Sequence, residues 1–135
     1  MKVKTRKLKS NETPLWELGY LEAAERDAKR FLTEDQYIHA IQLFEDLAYE
    51  SDPTKSETQD VRKIFEFYEL RDKGGILGKI NLRIYFTIIE EKKLILVLAT
   101  YKKEDDGQVP PHIVIRVRNR LRVAKEEMAK NTQKG

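Results

Sequence analysis

The stretch KINLRIYFTIIEEKKLILVLATY, residues 79–101, decides the fold of this chain. From Lys79 to Glu90 apolar and polar side chains alternate, as expected for a strand with two different faces. Residues 94–101 are apolar on both faces, which is typical of a central strand. Because only a short polar segment, residues 90–93, separates the two strands, we predict that they pair antiparallel.

Immediately upstream, IFEFYELR at residues 64–71 is rich in aromatic and branched side chains, which favours a third strand. Residues 73–78 contain three glycines and interrupt this pattern, so we predict a loop or hairpin there. Together with the two strands downstream, residues 61–101 are predicted to form an antiparallel β-meander.

Downstream of the meander, Pro110 and Pro111 introduce a predicted helix over residues 111–128. Its apolar residues recur at helical spacing within a narrow arc, so one side of the helix should pack against the sheet. They are Ile113, Val117, Leu121, Ala124 and Met128. Arg116 and Arg120 border this arc, and residues 129–135 are predicted to be a flexible tail.

The N-terminal part is predicted to contain a pair of helices over residues 12–50. The first helix should begin near Pro14, where a proline at an early helical position is favourable, and run to about Leu32. Residues 1–10 are basic and carry few large apolar side chains. They fit either a short edge strand or a flexible tail.

The second helix is predicted to begin at a capping box, in which Thr33 and Gln36 satisfy each other's backbone N–H groups. Apolar residues then follow at helical spacing and form a stripe of Tyr37, Ile41, Phe44 and Ala48. Residues 51–60 lack a large apolar side chain and are predicted to be a loop. The sequence therefore predicts one α+β domain over residues 1–135, with a helical pair, a β-meander and a C-terminal amphipathic helix.

The composition excludes several classes of protein. Charged residues make up 36% of the chain, and no apolar run is long enough to cross a membrane, so we expect a cytoplasmic location. The sequence contains no cysteine and only two histidines, His39 and His112. We therefore expect no disulfide, no metal site and no cofactor. No pattern indicates a particular oligomeric state.

The charge is distributed unevenly along the chain. Residues 1–10 carry a net charge of +5, residues 11–60 a net charge of −9, and residues 61–135 a net charge of +7. One interpretation is an ordinary solvated surface. The other is that the basic part meets a polyanion while the acidic helices face elsewhere.

Three short motifs within residues 61–128 resemble a known family. They are YELR at residues 68–71, LRIYFTI at residues 82–88, and the sequence Tyr101-Lys102-Lys103 that follows an apolar strand. In this order, and behind two predicted helices, they are similar to the HigB-like branch of the RelE/ParE toxin superfamily of type II toxin–antitoxin systems. About half of the chain carries this resemblance.

The resemblance implies a RelE-like fold and an mRNA interferase, a metal-independent endoribonuclease that acts on mRNA at the ribosome. It also implies a cognate antitoxin, of helix-turn-helix type, as protein partner. Arg71 and Arg83 would clamp phosphate on an exposed sheet face, and Lys102 and Lys103 would stabilise charge or act as a general base. The expected RNA-binding residues are Tyr85, Tyr101, Arg116 and Arg120.

Other interpretations of these residues stay open. Arg71 lies close in sequence to Glu69 and Asp72, so it could form a structural ion pair instead. The acidic residues 104–106 depart from the family pattern and would repel RNA unless they turn away. A non-catalytic module on the same fold, binding nucleic acid or protein as a ParE-like relative does, is therefore the alternative to an enzyme.

Overall fold

A computed structural model describes residues 3–6 and 13–134, with side chains for Val3 and residues 13–130. The described strands are β1 (Val3–Arg6), β2 (Glu17–Leu21), β3 (Asp60–Lys63), β4 (Tyr68–Asp72), β5 (Asn81–Ile89) and β6 (Leu94–Lys103). The α-helices are α1 (Glu22–Lys29), α2 (Glu34–Leu47) and α3 (Pro111–Lys134). The predicted α+β class, with two helices before the meander and one after it, is confirmed.

The described strands form one sheet in the order β1-β2-β6-β5-β4-β3. The strands from β3 to β6 pair antiparallel in succession, which confirms the meander. On its other side β6 pairs with β2 in parallel, from Leu94 to Val97. The prediction that β6 is a central strand is therefore confirmed, and Leu94–Ala99 is buried.

The predicted start of the first helix is wrong, because residues 17–21 form a strand and α1 begins only at Glu22. Trp16 and Leu18 are buried on either side of exposed Glu17, which is the alternation of a strand. Pairing with the second edge of β6 satisfies the backbone here. That pairing is long-range and outweighs the local helix-start signal at Pro14.

The N-terminal and C-terminal predictions are resolved in part. Residues Val3–Arg6 form β1 against β2, so the edge-strand alternative is confirmed for them, while the remainder of residues 1–10 lies outside the described residues. Helix α3 continues past residue 128 to Lys134, so residues 129–134 of the predicted tail are helical.

Helix α2 begins as predicted. The Thr33 hydroxyl accepts a bond from Gln36 N at 3.2 Å, and Thr33 N donates to the Gln36 side chain at 2.9 Å. Its buried face is rotated from the predicted stripe, because Tyr37 and Ile41 are only half-buried. The buried residues are Ala40, Leu43, Phe44, Leu47 and Ala48.

Two predictions about β4 and β5 need correction. The stretch 64–71 is not one strand, because residues 64–67 form the turn between β3 and β4, closed by Ile64 N donating to Phe67 O at 3.0 Å. The alternate face of β5 does not face solvent. Arg83 and Tyr85 are buried there, and Phe67 packs edge-on against Tyr85.

The two faces of the sheet have different covers. Phe44 of α2 contacts Phe86 edge-on with ring centroids 5.3 Å apart, so α1 and α2 cover the face that carries Phe86. At the start of α3, His112 contacts Tyr101 on the opposite face, with ring centroids 6.1 Å apart. We call this second face the α3 face.

Candidate anion-binding site

Three of the predicted site residues form one row across the sheet. In the strand register Arg71 lies opposite Arg83, and Arg83 lies opposite Tyr101. Residues opposite one another in neighbouring strands point to the same side of a sheet, here the α3 face. Lys103 lies two residues beyond Tyr101, so it shares this face. The strand register thus places three cationic residues on one surface.

Lys102 does not belong to this group. It lies opposite Leu82, on the face covered by α1 and α2, and it is exposed. Lys102 and Lys103 therefore point to opposite faces of the sheet, and only Lys103 shares the α3 face with Arg71 and Arg83.

The expected exposed position of the two arginines is also wrong. The Arg83 side chain is 2% exposed, and its Nη1 donates to Asn81 Oδ1 at 2.7 Å. The Arg71 side chain is largely buried, and its Nε donates to Glu69 Oε1 at 2.5 Å. Arg71 and Glu69 therefore form the ion pair that their closeness in sequence suggested.

A buried carboxylate lies between the two arginines. Glu69 is 0% exposed, and its second oxygen, Oε2, lies 3.9 Å from Arg83 Nε. Glu69 Oε2, Arg83 Nε and the Tyr85 hydroxyl have no hydrogen-bond partner within the described part of the chain. Burial, and then the nearby Glu69 carboxylate, raise the pKa of Tyr85. Burial, and then the neighbouring Arg71, lower the pKa of Arg83.

Arg71 and Arg83 line a cavity of about 360 Å³ at one end of the sheet. Its lining has four cationic and three acidic side chains, namely Arg62, Arg71, Lys73, Arg83, Asp60, Asp72 and Asp106. Planar guanidinium groups present paired N–H donors that match the oxygens of a phosphate or carboxylate. The cavity therefore has the chemistry of an anion site that its own carboxylates already neutralise in part.

The acidic loop after β6 turns toward the cations. Asp106 lies 3.4 Å from Lys73 Nζ and 3.7 Å from Arg83 Nη2. The hydrogen bond and charge of Lys73 lower the pKa of Asp106. Asn81 fixes this loop, because its Nδ2 donates to Asp105 O at 2.8 Å and to Asp106 Oδ1 at 3.2 Å.

The preceding residue of the loop holds Lys103. Asp105 Oδ1 accepts bonds from Lys103 Nζ at 2.6 Å and from Gly107 N at 2.8 Å. The hydrogen bond from Lys103 is the main cause that lowers the pKa of Asp105. Together, Asp105 and Asp106 give Lys103 and Arg83 internal anionic partners, so the loop does not turn away from the site.

The predicted RNA-binding residues have four different environments. Tyr85 is 0% exposed, so it cannot stack on a base in this conformation. Tyr101 is half-buried beside His112. Arg116 is exposed on α3. Arg120 has a structural role, because its Nη1 donates to Asp27 Oδ2 at 2.7 Å and to Leu98 O at 3.0 Å.

Sequence reasoning missed several residues of this site. Asn81 lies two positions from Arg83 on the same strand, so strand alternation could have found it. The sequence indicates Glu69 only as an ion-pair partner of Arg71. Lys73 and Asp106 come from loops, and no periodic pattern places them.

His39 lies outside this site. On the face of the sheet that α1 and α2 cover, its Nε2 lies 2.7 Å from Oδ2 of Asp72.

The described residues contain no group of three or more side chains arranged to hold a metal ion. None of the helices in the described ranges is both long and apolar enough to span a bilayer.

Comparison with solved structures gives similarities in fold. The chain is similar to a chain of the toxin–antitoxin complex RelBE2 from Mycobacterium tuberculosis, with 14% sequence identity and a TM-score of 0.47. The similarity covers 67% of this chain and 100% of that chain. No protein-family model matches the sequence, and no curated protein matches it.

Proposed function

We propose that this chain is the toxin of a type II toxin–antitoxin system and acts as a metal-independent mRNA endoribonuclease, in the cytoplasm and at the ribosome. Arg71 and Arg83 would bind the phosphodiester in the cavity, and Lys103 would supply a further positive charge. The partners would be mRNA, the ribosome and an antitoxin of helix-turn-helix type. The motifs YELR, LRIYFTI and Tyr101-Lys102-Lys103 support this assignment by resemblance.

One observation carries the proposal. Arg71 and Arg83 lie opposite each other in the register of β4 and β5 and line the same cavity. Two guanidinium groups at adjacent strand positions can hold several oxygens of one phosphate and stabilise the charge that develops on it. RNA supplies its own nucleophile, because the 2′-OH can attack the adjacent phosphorus. The protein then has to orient the strand, move protons and stabilise the extra negative charge.

A specific observation favours a second candidate, a non-catalytic module that binds nucleic acid or protein. Each of the three cations on the α3 face has a carboxylate within 4 Å: Glu69 for Arg71, Asp106 for Arg83 and Asp105 for Lys103. An anionic substrate would have to displace Asp105 and Asp106 before it could use these groups. If that displacement does not occur, the fold can still present the exposed arginines of α3 to a partner.

The two candidates are separated by mapping RNA ends after incubating the purified chain with ribosomes that translate a defined mRNA. For the nuclease we expect new 5′ ends that disappear in Arg83→Lys, which keeps the charge and loses the two-pronged geometry. Neighbouring lysines provide a matched control. Lys103→Ala should slow cleavage by about tenfold or more, as expected for loss of a charge-stabilising group, whereas Lys102→Ala on the other face should not.

If wild-type chain produces no new ends but still binds RNA or co-purifies with a protein, the nuclease proposal is wrong and the binding module stands. Equal losses in Lys102→Ala and Lys103→Ala would contradict the site as described. Arg122→Ala, which removes an exposed arginine on α3, reports any general effect of lost positive charge.

A further inference from the structure

We infer that Glu69 is a positioning residue that aims Arg71 and Arg83 into the cavity. This inference rests on the proposed anion site and names a residue of its mechanism that would not touch the ligand. Glu69 is buried on β4, and its carboxylate reaches toward both guanidinium groups.

The Glu69 carboxylate accepts a hydrogen bond from Arg71. Glu69 Oε1 accepts from Nε of Arg71, the inner nitrogen of the guanidinium. A bond at Nε leaves the two terminal nitrogens of Arg71 free to face the cavity that this side chain lines. A carboxylate at this position therefore fixes the plane of the guanidinium without occupying the donors that would bind an anion.

Arg83 also lies close to the Glu69 carboxylate. Its Nε lies 3.9 Å from Glu69 Oε2, and both atoms are buried without a hydrogen-bond partner among the described residues. Its Nη1 is held by Asn81, and its Nη2 faces Asp106 at 3.7 Å. A shift of about 1 Å would bring Glu69 Oε2 and Arg83 Nε to hydrogen-bond distance. One carboxylate thus bonds to Nε of Arg71 and lies 3.9 Å from Nε of Arg83.

The charge and the length of the Glu69 side chain have opposite effects on anion binding. A carboxylate in the wall of an anion site repels the ligand, so its charge alone works against binding. The length of the Glu69 side chain has the opposite effect, because it brings the carboxylate to Arg71 and fixes the guanidinium. A fixed guanidinium loses less side-chain entropy when the anion binds. The two effects can be separated by substitutions that change reach and charge independently.

Glu69→Asp keeps the charge and shortens the side chain by one methylene, whereas Glu69→Gln keeps the reach and one acceptor oxygen but removes the charge. We expect inorganic phosphate to bind Glu69→Asp about tenfold more weakly than the wild type, a loss of about 1.4 kcal/mol. Glu69→Gln should bind phosphate at least as tightly as the wild type. Glu66→Asp is the matched control, because it makes the same change at an exposed position of the same hairpin.

Nitrogen-edited NMR of the arginine Nε–H groups supplies a readout that does not depend on phosphate. In the wild type we expect the Arg71 Nε–H to exchange with water much more slowly than that of exposed Arg122. This protection should persist in Glu69→Gln and be lost in Glu69→Asp. The wild-type measurement stands even if a variant fails to fold.

The outcomes separate the inference from the proposed function. If wild type binds no phosphate but Arg71 is protected in the expected pattern, the anion site is wrong and the positioning by Glu69 stands as a structural fact. If wild type binds phosphate and Glu69→Asp binds it equally well, the inference is overturned and the anion site survives. Equal weakening in Glu69→Asp and Glu69→Gln would also overturn it, because keeping the reach of the side chain would then not preserve phosphate binding.

Discussion

Replacing Arg120 by alanine should destabilise the protein, because its ion pair with Asp27 is structural. Asp27 is 5% exposed and the Arg120 side chain 17% exposed, and Arg120 donates three hydrogen bonds. Two of these bonds go to Asp27 and one goes to Leu98 O. The substitution leaves buried Asp27 with only the exposed Arg30, 4.0 Å away, as countercharge, although its oxygen still accepts from Thr100 N at 3.2 Å.

The magnitude follows from this burial. Removing one partner of a fully buried pair costs about 3–5 kcal/mol, and the partial exposure of Arg120 reduces this to about 2–3 kcal/mol. With a urea m value of about 1.5 kcal/mol/M, the unfolding midpoint should fall by roughly 1.3–2 M. Circular dichroism during urea unfolding measures this shift. An unchanged m value would show that the loss lies in stability rather than in the compactness of the unfolded state.

Two further variants make this test specific. Arg122→Ala removes an arginine two positions along α3 whose side chain is 63% exposed, so it should change stability by less than about 0.5 kcal/mol. The double variant Asp27→Asn with Arg120→Met removes both charges and should recover part of the loss. If Arg120→Ala is as stable as Arg122→Ala, the structural role is wrong, and Arg120 returns to the candidate RNA-binding residues.

Two other predictions test the α3 face. Tyr85→Phe removes a buried hydroxyl without a hydrogen-bond partner among the described residues, so below pH 10 it should change stability by no more than about 1 kcal/mol. The pKa of Tyr85 is raised in the folded state, so unfolding above about pH 10 releases its proton. The urea midpoint should therefore fall with rising pH more steeply in wild type than in Tyr85→Phe. Parallel slopes would contradict the buried position. Gly107→Ala places a Cβ 2.9 Å from Asp105 Oδ1, so Asp105 should move and lose its hydrogen bond to Lys103 Nζ. Acylation of Lys103, measured by mass spectrometry, should then be faster than in wild type. Unchanged labelling would show that the loop absorbs the methyl group.

The meander could be predicted from the sequence because its signals are local. The strand β5 alternates in sequence, residues 94–99 of β6 are all apolar, and residues 90–93 between the two strands form a short polar turn. The capping box before α2 was equally readable, since both of its side chains bond to backbone within three residues. Each of these features depends on neighbours along the chain.

The features that sequence reasoning missed depend on distant neighbours. Strand β2 exists because β6 offers a second edge, and β6 lies more than 70 residues away. The burial of Arg83 depends on the cover of the α3 face, and a polar residue within an alternating pattern ordinarily predicts exposure.

The candidate site shows the same division. The positions of Arg71, Arg83 and Tyr101 on neighbouring strands were implied by three motifs, and the register brings these residues into one row. Their partners were not implied, since Asp105 and Asp106 bind across a loop whose path no periodicity sets. Residue type thus indicated an anion site, whereas only the tertiary structure revealed that carboxylates already face its cations.

The short pairing of β2 with β6 has a consequence for self-association. The parallel register ends at Val97, and farther along β6 Asp27 and Arg120 bond to the backbone of Thr100 and Leu98. These side chains take the place of a neighbouring strand. An uncovered backbone edge invites strands from other molecules, so this ion pair protects the sheet against aggregation as well as joining α1 to α3.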